Sequence, residues 1–261
     1  MIFPKKSLGQ NFLIEKNVVK KILNLLNLEK KMVIEIGPGK GALTDEILKA
    51  KPKSLVIIEK DKQLTKFLSE KYSLIKNIKI INADILKVDF KKINTEKNIL
   101  IGNLPYNVSS QILVKILKYK KLETKFSDLI FMFQKEVGEK IVAKFPSKHY
   151  GRLTIISNYN LKIIKKFLVS ANCFFPKPKV TSMIIHFKTK KNEIFNIKNI
   201  SNLEKITKIL FSNKRKMINK KIKEILSYQK IKKISKLDLN LRPEKVSPER
   251  FYEITELYEK N

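Results

Sequence analysis

The residues with the most distinctive chemistry are Asn103, Leu104, Pro105 and Tyr106, within IGNLPYNVSS at 101–110. They suit the activation of an adenine amine. That exocyclic nitrogen is a poor nucleophile because its lone pair is delocalised into the ring. An Asn side-chain oxygen and a main-chain carbonyl can accept its two hydrogens and favour a pyramidal nitrogen whose lone pair points outward. Pro105 restricts the backbone so that the preceding carbonyl faces a pocket rather than a helix. The Tyr106 ring can stack on the base. No titratable base is required, since a methylated, anilinium-like product loses its proton to water; positioning and electrostatics supply the catalysis. Alone, the tetrapeptide reads more readily as an ordinary strand-to-helix turn, with Ser109 or Ser110 near the helix start.

Its context is a nucleoside pocket. VIEIGPGKG carries Glu35 and then Gly37, Gly39 and Gly41, and glycines directly after a strand permit a tight turn and close approach of a ligand to the backbone. Glu59 closes the next expected strand, where a carboxylate can accept hydrogen bonds from both ribose hydroxyls. Asp84 closes the third, where it can meet an adenine amino group. The turn alone leaves a nicotinamide dinucleotide and S-adenosylmethionine both open. The Asn-Leu-Pro-Tyr segment separates them, because hydride transfer gives it no task.

These residues need a scaffold that brings strand ends together. Strands are expected at Met32–Ile36, 55–59, 78–84, 98–103 and 128–133, with helical patterns at 15–28, 61–71 and 109–118. Such alternation predicts an α/β fold with a doubly wound, mostly parallel, Rossmann-like sheet, whose ligands bind at the strand C-termini. LKIIKKFLV (161–169) and TSMIIHF (181–187) read as a final strand pair. The composition shifts near residue 189, and only amphipathic helix patterns follow, near 201–211, 215–227 and 248–259. The expected division is therefore a methyltransferase-type domain at 1–188 and a small all-helical domain at 189–261.

A net charge of +32, from 56 basic and 24 acidic residues, points to a polyanionic partner such as nucleic acid. Only Arg152, Arg215, Arg242 and Arg250 are arginines, and an A/T-rich coding sequence would also enrich Lys, Ile and Asn. In KRKMINKKIKEIL (214–226), Ile218, Ile222, Ile225 and Leu226 form one stripe while Lys216, Lys220 and Lys223 fall elsewhere. A helix with a basic outer face is expected there, Lys214, Arg215, Lys216, Lys220 and Lys223 being the candidate RNA contacts; a solvated charged face is the plainer alternative. One cysteine, Cys173, fits a reducing compartment. With only His149 and His186 beside it, a His/Cys zinc site is nearly excluded and no metal is assigned, although carboxylate-held magnesium is left open. No signal-peptide or membrane-spanning run is seen, so a cytoplasmic protein without membrane association is expected.

The motifs SLGQNFL (7–13), EIGPGKGALT (35–44), IEKD (58–61), NAD (82–84), GNLPYNVSS (102–110), QKEVGEKIVA (134–143), YGRL (150–153) and FFPKPKVTS (174–182) occur in one order. Together with FSNKRKMINKKIKE and LRPEKVSPERFYEIT, they resemble the KsgA family of small-subunit ribosomal RNA adenine dimethyltransferases over nearly the whole chain. The resemblance implies transfer of four methyl groups from S-adenosylmethionine to two adjacent adenines in a hairpin loop near the RNA 3′ end. It implies cofactor contacts from Asn11, Leu13, Gly37, Glu59, Asp84 and Asn103. Asn103, Pro105 and Tyr106 would form the catalytic loop, Leu104 would supply the carbonyl, and Phe174 would close the other face of the adenine. The expected partner is small-subunit ribosomal RNA in a partly assembled subunit, met by a monomer. Lysines stand where relatives often have Arg pairs, and the guanidinium fork is lost with them.

Two other readings share much of this pattern. A large-subunit adenine methyltransferase of the macrolide-resistance type would use the same pocket, but Leu104, the GQNFL start and YGRL argue against it. A non-catalytic ribosome-assembly factor on the same fold would not need Glu59, Asp84, Asn103, Pro105 and Tyr106 all intact.

Overall fold

A computed structural model describes residues 3–93, 97–234 and 237–260. Nine strands and eleven α-helices follow along these residues, besides four short 3-10 turns. The strands are β1 (Phe12–Leu13), β2 (Met32–Ile36), β3 (Ser54–Glu59), β4 (Ile78–Asn82), β5 (Asn98–Asn103), β6 (Phe126–Gln134), β7 (Leu161–Val169), β8 (Phe174–Phe175) and β9 (Ser182–Thr189). The helices are α1 (Lys16–Leu23), α2 (Ala42–Lys49), α3 (Lys62–Lys71), α4 (Ser109–Leu117), α5 (Leu122–Lys125), α6 (Lys135–Ile141) and α7 (Arg152–Asn160), then α8 (Ile200–Phe211), α9 (Asn219–Lys223), α10 (Tyr228–Lys232) and α11 (Pro248–Glu259).

Seven strands form one sheet in the order β4-β3-β2-β5-β6-β9-β7. β4 through β6 run parallel, and β9 is antiparallel to β6. This is the expected doubly wound architecture. The order reverses at β2, where the chain winds outward to β3 and β4 and then returns to β5. That reversal opens a crevice beyond the ends of β2 and β5, the place where such sheets take ligands. β2 (MVIEI) and β3 (SLVIIE) are almost wholly buried, as strands covered on both faces must be. β1 and β8 pair separately as a two-residue antiparallel ribbon.

The chain divides into two compact units. One comprises Met1–Leu113, Glu123–Gly138 and Lys162–Thr189; the other comprises Val114–Leu122, Glu139–Leu161 and Lys190–Asn261. Two segments before residue 162 thus group with the C-terminal helices, a non-contiguous arrangement that a single cut at 188/189 does not describe. In the second unit, Tyr150 donates to the Val246 carbonyl at 2.8 Å and Tyr252 to the Ile155 carbonyl at 2.9 Å. These long-range bonds tie α7 and the residues just before it to the C-terminal segments. No strand follows residue 189 among the described residues.

The helix expected over 215–227 is shorter in the structure, and this is a correction. Only Asn219–Lys223 is helical. The Ile218 amide, which a longer helix would direct at its own ladder, instead donates to the Leu241 carbonyl at 2.9 Å. The apolar stripe survives, with Ile218, Ile222 and Leu226 buried. Lys214, Arg215, Lys216, Lys220 and Lys223 are all exposed, but the first three precede the helix.

Candidate active site

Asn11, Leu13, Gly37, Glu59, Asp84, Asn103, Leu104, Pro105 and Tyr106, drawn from five separated stretches of chain, line one cavity in the first unit. The sheet explains the convergence. Gly37, Glu59 and Asn103 stand at the C-terminal ends of parallel neighbours β2, β3 and β5, with Ile36 paired to Gly102 and Ile58 to Ile36. Asp84 lies two residues past the end of β4 rather than within it, a small correction to the expected strand over 78–84.

Two glycines of the turn line the cavity and leave little room for a Cβ. Gly39 has φ +60, and a Cβ there would meet the Phe12 ring at 2.7 Å. Gly37 has φ +67, and its Cβ would press on the Asn103 carbonyl at 3.3 Å. Both lie in the left-handed region that side chains disfavour. The backbone is therefore bare where a ligand approaches.

Three carboxylates surround this turn in different electrostatic states. Glu35 is fully buried. Thr44 donates to its Oε2 at 2.7 Å, while Oε1 has no hydrogen-bond partner. Loss of solvent pushes its pKa up to about 8. Glu59 is also raised, chiefly by burial, although its Oε1 accepts the Asp61 amide at 2.8 Å. Asp84 is lowered, first by Lys60, whose ammonium lies 2.9 Å from Oδ2; Leu86 N donates to Oδ1.

Asp61 holds the N-terminal segment against this edge. Its carboxylate accepts from Lys5 Nζ at 2.9 Å, Gln10 Nε2 at 3.0 Å and the Gln63 amide at 2.9 Å. The next residue, Asn11, presents its carbonyl to Asn103 Nδ2 at 2.9 Å. That bond fixes which end of the Asn103 amide faces inward. Asp61 lies in IEKD and Gln10 in SLGQNFL, and no local pattern links the two; only the fold brings them together.

The loop after β5 is built as a turn. Val108 N donates to the Pro105 carbonyl at 3.1 Å, and Ser109 Oγ, at the start of α4, donates to the Tyr106 carbonyl at 3.2 Å. The Tyr106 hydroxyl is hydrogen-bonded to Ser182 Oγ, at the start of β9. Ser182 is fully buried. Burial raises the Tyr106 pKa, so the ring carries a neutral phenol.

Phe174 is the expected site residue that the structure does not bring to the cavity wall. It is 2% exposed, faces Leu13 across the β1–β8 ribbon, and belongs to the main apolar core with Ile184 and Val169. Alternation along the two-residue strand sends Phe174 inward and leaves its neighbour Phe175 out. In this structure Phe174 packs in the apolar core.

The arrangement fits a nucleoside cofactor with an amino-acid tail. A bare glycine turn, a strand-end carboxylate for ribose hydroxyls and a second one for an adenine amine are all in place, and the buried Glu35 Oε1 lacks a partner. S-adenosylmethionine has the complementary groups. Among the described residues no group of three or more His, Cys, Asp and Glu could hold a metal ion, and no helix is long and apolar enough to cross a membrane.

Comparison with known proteins agrees with this geometry. The chain is 43% identical to the ribosomal RNA small subunit methyltransferase A of Pelagibacter ubique over 98% of this chain and 97% of that one. It is 41% identical to the protein of the same name from Malacoplasma penetrans, over 95% and 90%. Among solved structures, a dimethyladenosine transferase from Plasmodium falciparum superposes with a TM-score of 0.79 at 22% identity, covering 95% of this chain and 98% of that one. The 23S rRNA methyltransferase ErmE superposes with a TM-score of 0.69 at 23% identity, over 95% and 100%. At these identities the two structures speak for the shared fold alone. The family model described as ribosomal RNA adenine dimethylase matches residues 3–260, and the chain belongs to that family.

Proposed function

We propose that this protein transfers methyl groups from S-adenosylmethionine to the exocyclic N6 of two adjacent adenines near the 3′ end of small-subunit ribosomal RNA. The observation that carries the reading is the Asn103 amide, oriented by Asn11 at the same sheet edge as Glu59 and Asp84. S-adenosylmethionine supplies an electrophilic methyl group. Glu59 holds ribose hydroxyls and Asp84 an adenine amine, while Gly37 and Gly39 keep the backbone open. Asn103 Oδ1 and the Leu104 carbonyl accept the target amine's hydrogens, which turns its lone pair toward the methyl group. The Tyr106 ring holds the base by stacking. These groups act through position and fixed dipoles rather than by proton abstraction.

A base inside a stem cannot reach this crevice, so loop adenines are the natural substrate. The net charge of +32 suits an RNA partner, and exposed Lys214, Arg215, Lys216, Lys220 and Lys223 are the candidate phosphate contacts in the helical unit. The same reading has the protein act as a monomer, in the cytoplasm, on a partly assembled small subunit during ribosome biogenesis. The test is to map N6,N6-dimethyladenosine in ribosomal RNA from cells with and without the gene. Loss of two adjacent dimethyladenosines in small-subunit RNA supports the assignment. Loss of a modification in large-subunit RNA instead, or no change in either, refutes it.

A further inference from the structure

The β1–β8 ribbon pairs Phe12 with Phe175 and Leu13 with Phe174. Directly opposed side chains in an antiparallel pair share one face, and successive residues alternate. Leu13 and Phe174 accordingly go to the core together. Phe12 and Phe175 take the opposite face. Phe12 is buried there, its ring against Gly39 and part of the cavity wall, with the Lys40 ammonium 5.4 Å from its ring centroid. Phe175 stands beside it but is 55% exposed. A phenyl ring is thus presented to solvent beside a residue of the cavity wall.

Its surroundings are cationic. Lys177 and Lys179 follow at alternate positions, both exposed, with Pro176 before the first and Pro178 between them, which restrict the backbone. The stretch 171–181 contains no carboxylate. An exposed aromatic ring beside lysines is the combination with which proteins stack unpaired bases and neutralise the phosphates between them.

We propose that Phe175 is a stacking platform for an unpaired base flanking the target adenine, with Lys177 and Lys179 meeting the adjoining phosphates. This rests on the reading of the chain as an RNA adenine methyltransferase, and extends it to how the loop is held open. The platform lies outside the reacting centre, so it governs RNA affinity and not the methyl-transfer step.

The chain has no tryptophan, so Phe175→Trp introduces a single fluorescent reporter at this position. At low salt, where so basic a chain retains any RNA, a single-stranded adenine-containing oligonucleotide quenches that fluorescence and a duplex of equal length does not. With unmethylated small ribosomal subunits as substrate, Phe175→Ala raises KM by about 5- to 150-fold, the range for losing one base–aromatic stack. Its single-turnover rate at saturating subunits and S-adenosylmethionine stays at the wild-type value, and Phe175→Trp keeps the wild-type KM. Equal quenching by duplex, no quenching by bound single strand, or an unchanged KM for Phe175→Ala overturns the proposal. Wild-type protein measured in parallel separates the two levels. If it methylates the subunits while Phe175 proves indifferent, only the platform fails; if it does not methylate them, the broader reading fails.

Discussion

The side-chain nitrogen of Asn103 donates to the main-chain carbonyl of Asn11 across 2.9 Å, joining residues 92 positions apart. An amide has one donor end and one acceptor end. Committing the donor to Asn11 leaves Oδ1 as the end available to an amine, which is the polarity the proposed chemistry needs. The N-terminal segment is therefore part of the proposed catalytic arrangement, held by the Asp61 clasp on Lys5 and Gln10.

Asn103→Ala removes that acceptor. Methyl transfer is expected to fall by about 10²-fold or more, the scale for losing one preorganised polar group aimed at a reacting centre. The quantity to measure is the single-turnover rate at saturating S-adenosylmethionine and RNA, which takes binding out of the comparison. A near-wild-type rate would make the loop structural.

Tyr106 separates ring from hydroxyl. Tyr106→Ala should lose a stacking contact of about 1–3 kcal/mol toward the base. On sequence grounds Tyr106→Phe keeps most activity, since only the ring is invoked. The bond to buried Ser182 adds a cost, because the phenylalanine leaves that hydroxyl without its partner. Tyr106→Phe is expected to lose about 1–3 kcal/mol of folding stability in denaturant titration while retaining most of its saturated rate. Unchanged stability would show that the bond contributes nothing in solution.

Glu59→Ala should weaken S-adenosylmethionine by about 1–3 kcal/mol, as expected for a lost charge-assisted hydrogen bond. Isothermal calorimetry of wild type and variant reads this directly. Equal affinities would remove Glu59 from the cofactor site.

Glu35 makes stability depend on pH. Its folded pKa of about 8 stands above the unfolded value of 4.5, so the folded state holds the proton more tightly. Stability from this group is complete below pH 4.5 and is lost as pH rises through 8, with a slope of about 1.4 kcal/mol per pH unit inside that window. Glu35→Gln, which keeps an acceptor for Thr44, should remove this component. Denaturant midpoints of the two proteins from pH 5 to 9 should diverge as pH rises, the variant becoming relatively more stable. Parallel curves would exclude a protonated Glu35.

RNA affinity should fall steeply between about 50 and 200 mM salt, and Lys216, Lys220 and Lys223 replaced together by Ala should flatten the slope of log affinity against log salt. An unchanged slope would leave these lysines a solvated face.

Much of this architecture is legible from local pattern. Parallel strands buried on both faces read as short apolar runs, which is why β2, β3 and β5 are visible in MVIEI, LVIIE and NILIGN. Residues at the ends of such strands can be placed without coordinates, since strand ends in one sheet share an edge. Glu59 and Asn103 were accessible for that reason. Local pattern does not distinguish Phe174 from Phe175, and only the family resemblance singles out Phe174; pairing with Phe12 and Leu13 decides which of them enters the core. The helix expected over 215–227 has the right periodicity but loses an amide to Leu241, a partner that no local pattern reveals.

By itself, the sequence determined the strand-and-helix alternation, the bare glycine turn and the chemical types at each strand end, because these depend on neighbours within a few residues. Tertiary structure alone decided how those types are oriented and joined. Asn11 sets the Asn103 amide, Asp61 clasps Lys5 and Gln10, Ser182 binds Tyr106, and Val114–Leu122 and Glu139–Leu161 group with the C-terminal helices. Each of these is a relation between residues far apart in the chain, whose hydrogen bonds and packing exist only once the sheet has brought them together.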